Sequence, residues 1–90
     1  MTLHVELSPR ALRDLAGLEK GAAKGVLDDL EILRSRPWPG PPKVKKLSGH
    51  KDLYRLRTGD YRSIFEPIAK SVVILRIMDR KDFEKALKNL

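Results

Sequence analysis

The stretch 52–66, DLYRLRTGDYRSIFE, constrains the fold of this chain more than any other. Two runs of alternating apolar and polar residues flank Gly59-Asp60. Glycine at the first central position of a two-residue loop supplies the positive φ that a type II′ turn requires. A hairpin closed there pairs Thr58 with Tyr61, Arg57 with Arg62 and Arg55 with Ile64. Side chains alternate across a strand, so Tyr54, Leu56, Ser63 and Phe65 form a core face. Arg55, Arg57, Arg62 and Ile64 form the other. Like charges directly opposite each other destabilise a sheet. Local stability gives no reason for such a face, whereas a bound polyanion does. The alternative is a solvated outer face on which arginine stems cover apolar surface.

Charge distribution bears on that choice. The net charge is +7, and residues 1–42 contribute none of it, holding six Lys or Arg against six acids. Residues 43–90 hold thirteen bases against six acids, so the excess lies in the half that carries the hairpin. This favours a phosphate-rich or acidic partner for that half. Ninety residues make one domain, 1–90, just large enough for a single core. With no cysteine there is neither a disulfide framework nor a thiolate metal site. The first ten residues have no basic start or long apolar run, and no segment approaches a membrane span. A cytoplasmic protein without membrane association is expected.

The remaining elements read as a scaffold for the hairpin. LHVEL (3–7) alternates as a strand, and Ser8-Pro9 supplies an N-cap with Pro at the first helical position. Leu12, Leu15 and Ala16 give the first helix its apolar stripe, and Gly17 or the segment after it ends that helix. A second helix is expected from about Ala22 to Ser35, with Ala23, Val26, Leu27, Leu30 and Leu33 inward. RPWPGPPK (36–43) is a stiff connector, because its prolines remove donors and fix φ. Trp38 within it is read as a hydrophobic plug over the helix ends, the other reading being a base-stacking platform. KVKKL (43–47) and LYRLR (53–57) are extended. The β-branched run SVVILRIM (71–78) fits a central strand. Phe83, Ala86, Leu87 and Leu90 give a short amphipathic C-terminal helix that Asp79 caps. The fold class is α+β: an N-terminal strand and helical hairpin packed on a small, mainly antiparallel sheet, closed by a short helix.

The helical hairpin, KLSGHKDLYRLRTGDYRSIFE, the apolar strand and DRKDFEKA together resemble the RelE/ParE superfamily of toxins from toxin–antitoxin pairs. LYRLRTGDYR is the most specific piece, supported by Lys46, Leu47 and Gly49. The wording is more similar to the RelE branch, whose members cleave mRNA in the ribosomal A site, than to the gyrase-inhibiting ParE branch.

The resemblance implies a metal-independent endoribonuclease, without a cofactor, in which a ribose 2′-OH attacks the adjacent phosphate. Such chemistry needs a proton acceptor, cations against the phosphate and an acid for the leaving oxygen. By the same resemblance Arg55 and Arg57 are the basic pair of the first hairpin strand, and Arg62 and Arg80 stabilise transition-state charge. The chain departs from the family pattern in two places. Arginine replaces lysine at 55 and 57, and an arginine does not serve as a base. The acid or base is then Asp79, His50, Glu66 or no side chain. The C-terminal tyrosine that many members stack on a base is absent, and Phe83 is the residue left to stack or to sit in the core.

Lys43, Lys45, Lys46, Lys51, Arg76 and Lys81 are expected, with Phe83, as RNA contacts. For Lys43, Lys45 and Lys46 the alternative is an edge strand guarded by lysine. The partners implied are the ribosome and mRNA, together with an acidic, partly disordered antitoxin. That antitoxin covers the basic face or displaces the terminal helix, and the complex binds operator DNA through it. The other functions the resemblance leaves open are a ParE-like gyrase inhibitor and a non-catalytic RNA- or ribosome-binding homologue.

Overall fold

The computed structural model describes residues 2–88. In chain order the elements are β1 (His4–Leu7), α1 (Pro9–Ala16), α2 (Lys20–Leu30), a 3₁₀ turn (Glu31–Arg34), β2 (Val44–Lys46), β3 (Tyr54–Thr58), β4 (Tyr61–Ile68), β5 (Ser71–Asp79) and α3 (Arg80–Lys88). The five strands form one sheet in the order β1-β5-β4-β3-β2. β1 runs parallel to β5 and every other pairing is antiparallel, so the expected α+β architecture is the one observed.

The hairpin register is the one that the turn dictates, with Thr58 opposite Tyr61, Arg57 opposite Arg62 and Arg55 opposite Ile64. Gly59 has φ of +58° while Asp60 stays out of the left-handed region, the pattern of a type II′ turn. Leu56, Ser63 and Phe65 are fully buried on the face that α1 and α2 cover. Leu56 and Phe65 meet Val26, Leu30, Leu33, Val72 and Ile74 in the main core. Burial of side chains such as Phe65 and Leu33 stabilises the fold by about 1.5–3 kcal/mol each. Trp38 plugs this core: its Nε1 donates to the Leu33 carbonyl at 3.1 Å, and its ring meets Tyr54 and Phe65 edge-on at 5.4 and 5.3 Å.

Two helix faces differ from expectation. Leu12 is 54% exposed and Leu27 45%, whereas Ala11 and Leu15 of α1 and Val26 and Leu30 of α2 turn inward. α2 also begins earlier and stops at Leu30, its continuation tightening into the 3₁₀ turn. Ser8 caps α1 as expected, its hydroxyl accepting from the Ala11 N–H at 3.0 Å.

β1 is only four residues long and its pairing ends at Leu7 opposite Ile74, which leaves the distal edge of β5 without a strand partner. α1 fills that role. Ser8 Oγ donates to the Leu75 carbonyl at 3.0 Å, and Asp14 Oδ2 accepts from the Ile77 N–H at 2.9 Å. Each bond satisfies a β5 backbone group that has no β1 neighbour.

A second, smaller core lies on the opposite side of the sheet, where Leu47, Ile64, Met78 and Phe83 pack beneath α3. Asp79 caps α3 through Oδ1, which accepts from the Asp82 N–H at 2.8 Å. The Arg80 N–H donates to the Asp60 carbonyl at 2.7 Å, tying the start of α3 to the hairpin turn. Leu90, expected in the α3 stripe, lies outside the described residues.

Candidate nucleic-acid interface

The hairpin alternation, the Gly59-Asp60 turn and the tie from Arg80 to Asp60 bring Arg55, Arg57, Arg62 and Arg80 together. Among the described residues none of the four makes an ion pair. Arg62 is the centre of the cluster. Burial pushes its guanidinium below the ordinary arginine value, and the Arg57 and Arg80 charges push it further, against the opposing pull of Asp60 and Glu84. Burial lowers Arg55 as well, and Arg62 and then Arg57 add to the effect. Arg55 and Arg62 nonetheless keep their charge, because a guanidinium is not deprotonated in proteins.

The cluster divides into two anchored and two exposed members. Arg62 is only 9% exposed. Its Nη1 donates to the carbonyls of Gly59 at 2.8 Å and Tyr61 at 3.0 Å, which leaves Nε and Nη2 without protein partners among the described residues. Arg55 Nη1 donates to the Pro42 carbonyl at 2.7 Å, so the proline connector positions it. Arg57 and Arg80 are exposed and make no side-chain hydrogen bond among the described residues. A guanidinium fork held on one side and open on the other suits bidentate contact with phosphate oxygens.

Several other residues expected as RNA contacts are engaged in packing or ion pairs. Arg76 turns to α1, where its Nε donates to Asp14 Oδ2 at 2.8 Å, so it serves the β5 edge and not the arginine face. Burial pushes the Asp14 carboxyl up, but hydrogen bonds from Arg76 and the Ile77 N–H, with the Arg76 and Arg10 charges, outweigh that and hold it below the ordinary value. Lys43 Nζ pairs with Asp29 Oδ2 at 2.5 Å, and Thr58 Oγ1 donates to the same oxygen, which commits Lys43 to the α2–β3 contact. Phe83, expected either to stack on a base or to sit in the core, is buried at 6% exposure in the second core and lines the groove beside Arg55. Glu66 faces Val73 four residues along β4 from Arg62, roughly 13 Å away at strand spacing.

Lys45 lies opposite Arg55 and extends the cationic face, while Lys46 lies opposite Tyr54 and lines grooves beside both Trp38 and Arg55. Lys51 and Lys81 are exposed. His50 is half-buried in a groove of about 280 Å³ that Lys45, Arg55, Phe83 and Leu87 also line. Asp79 is occupied as the α3 cap through one oxygen. Asp60 and Glu84, whose charges act on Arg62, escaped the sequence reading. Their only signal was the two-residue spacing of Asp60 from Arg62 and the i,i+4 spacing of Glu84 from Arg80. Among the described residues no three His, Asp or Glu side chains come together as a metal site would require. Nor is any helix long and apolar enough to cross a membrane.

Known proteins share the sequence pattern and the fold. Residues 5–83 match the family described as the ParE toxin of the type II toxin–antitoxin system parDE. The chain is 31% identical over 91 residues to RelE1 of Methanocaldococcus jannaschii, covering 99% of each protein. It is similar to a chain in the archaeal RelE–RelB complex from Pyrococcus horikoshii, with TM-score 0.74 and 34% identity over 89% of this chain and 97% of the other. A chain in the toxin–antitoxin complex RelBE2 of Mycobacterium tuberculosis gives TM-score 0.74 and 25% identity over 89% of this chain and 100% of the other. The chain belongs to the RelE/ParE superfamily, the toxins of type II toxin–antitoxin systems.

Proposed function

We propose that this toxin is a ribosome-dependent endoribonuclease that cuts mRNA in the A site and so arrests translation in the cytoplasm. The observation that carries the reading is the cluster of Arg55, Arg57, Arg62 and Arg80, which has no ion pair among the described residues and a nine-tenths buried arginine at its centre. The 2′-oxygen of one ribose forms a bond to the adjacent phosphorus and loses its proton. The bond to the 5′-oxygen of the next nucleotide breaks, and that oxygen takes up a proton. The products carry a 2′,3′-cyclic phosphate and a 5′-OH, and no metal takes part.

Arg62 and Arg80 stabilise the extra negative charge on the phosphorane, while Arg55 and Arg57 hold the flanking backbone. Since none of the four can accept a proton, water or His50 in the groove beside Arg55 carries proton transfer. The rate then comes mainly from orientation and charge, and each donor of this kind contributes about 10²–10³ in rate. An acidic antitoxin that neutralises the same face is the partner of this reading. RelE–RelB and RelBE2 complexes among the similar structures support such a partner.

The ParE description of the matching family favours a second reading, inhibition of gyrase without nuclease chemistry. Expression of the toxin followed by mapping of RNA 5′ ends separates the two. Fresh 5′-OH ends inside reading frames support the nuclease. Intact mRNA together with inhibited supercoiling by purified gyrase overturns it.

A further inference from the structure

At the turn end of the sheet, Asp60, Tyr61, Asp79, Arg80 and Lys81 line an open cavity of about 310 Å³, at the lower end of the range for ligand sites. Tyr61 and Asp79 are directly opposed across β4 and β5, and the Arg80 N–H donates to the Asp60 carbonyl beside them. Asp79 uses one carboxylate oxygen to cap α3. The side chains of Asp60, Arg80 and Lys81 make no hydrogen bond or ion pair among the described residues. A carboxylate and two cations thus line one cavity without neutralising each other in direct contact.

The cavity adjoins the arginine cluster. Arg80 belongs to both, and the buried Arg62, with Nε and Nη2 unpartnered, is acted on by Asp60 and Arg80 together. The aromatic residues of the chain narrow the choice of base contact. Phe65 and Phe83 are buried, and Trp38 and Tyr54, half-buried on each other and on Phe65, line a separate groove with Val44 and Lys46. Tyr61 is half-buried, packed against the main core, and still lines the cavity.

We propose that this cavity binds a guanine base of the RNA, with Tyr61 stacking on the ring and Asp60 accepting hydrogen bonds from its N1–H and exocyclic amino group. The inference rests on the RNA reading given above. Unstacked RNA bases are recognised by aromatic stacking and by hydrogen bonds to their Watson–Crick edges. An ionised carboxylate only accepts hydrogen bonds. Guanine presents adjacent donors to it, whereas adenine and cytosine place an acceptor nitrogen beside their amino group. Uracil offers a single N–H between two carbonyls. Arg80 and Lys81 hold the nucleotide's phosphate at the side that faces the cluster.

Titration of the whole protein with GMP, AMP, CMP and UMP, followed by amide NMR shifts, tests the proposal without ribosome or cleavage. GMP is expected to bind roughly tenfold more tightly than the others, the size of one good bidentate base contact. Its shifts should centre on residues 60–62 and 79–81. In Asp60→Asn, an exposed turn substitution whose free spectrum reports its fold, that preference should vanish while the shared phosphate contact remains. Equal affinity for all four nucleotides, or an unchanged preference in Asp60→Asn, would overturn the guanine site. A protein that prefers GMP yet cuts no mRNA would retain this site and lose the nuclease reading. One that cuts mRNA but binds the four alike would do the reverse.

Discussion

Arg57 faces Arg62 directly across the β3–β4 pair, and among the described residues neither has a carboxylate within ion-pair distance. Two like charges in directly opposed positions oppose the pairing that holds them there. A bound phosphate relieves that repulsion. Arg57→Gln, which keeps most of the stem, is therefore expected to stabilise the free protein by about 0.5 kcal/mol in urea denaturation. The same variant should bind single-stranded RNA more weakly, with a salt slope reduced by roughly 0.7. Lower stability in Arg57→Gln would mean that this arginine is a structural group.

Lys43 and Lys45 stand two residues apart and have different tasks. Lys43 pairs with Asp29, whereas Lys45 sits opposite Arg55 on the cationic face. Lys45→Ala should lower the salt slope of RNA binding by roughly 0.7 and leave unfolding unchanged. Lys43→Ala should do the opposite, keeping the slope and costing about 1 kcal/mol of stability, since among the described residues it leaves the Asp29 carboxylate with the Thr58 hydroxyl alone. Identical behaviour of the two variants would contradict this division.

Asp14 links α1 to the open edge of β5, and its carboxyl is held below the ordinary value. A depressed acid contributes stability in full above its unfolded value of about 4, and loses it as the pH falls through the folded value. Asp14→Asn should cost about 1–3 kcal/mol at neutral pH, where it weakens the bonds to Arg76 and Ile77. The gap between wild type and variant should close on acidification below about pH 4. Thermal unfolding measured across that range checks both the size and the sign.

The two tight hairpin turns make opposite predictions. Gly59 has φ of +58° with open space around its α-carbon, so Gly59→Ala costs stability through backbone strain alone. Ala69, in the β4–β5 turn, already carries that strain at φ of +55°. Gly59→Ala is expected to destabilise by about 1 kcal/mol, and Ala69→Gly to stabilise by up to about 1 kcal/mol. A shared sign in equilibrium denaturation would refute the assignment.

How much of this was legible in the sequence depended on how local the cause was. The hairpin register, the Ser8-Pro9 helix start and the Asp79 cap each follow from neighbours within a few positions, and each is where the chain placed it. Leu12 and Leu27 read as core because adjacent apolar residues admit two helix rotations. The smaller Ala11 was the one chosen to meet the sheet in α1. Arg76 and Asp14 lie 62 positions apart, and only the short β1 strand, which leaves part of β5 unpaired, brings them together. Nor did alternation reveal that α3 docks over Ile64 and Met78, the packing that buries Phe83.

The most direct test of the arginine face is single-turnover cleavage of a defined mRNA in programmed ribosome complexes, with wild type, Arg62→Ala and Arg80→Ala compared by primer extension. The expected result is a cut within the A-site codon by wild type and a loss of about 10²–10³ in rate in each variant, with ribosome binding retained. Cleavage at an undiminished rate by both variants would contradict the account.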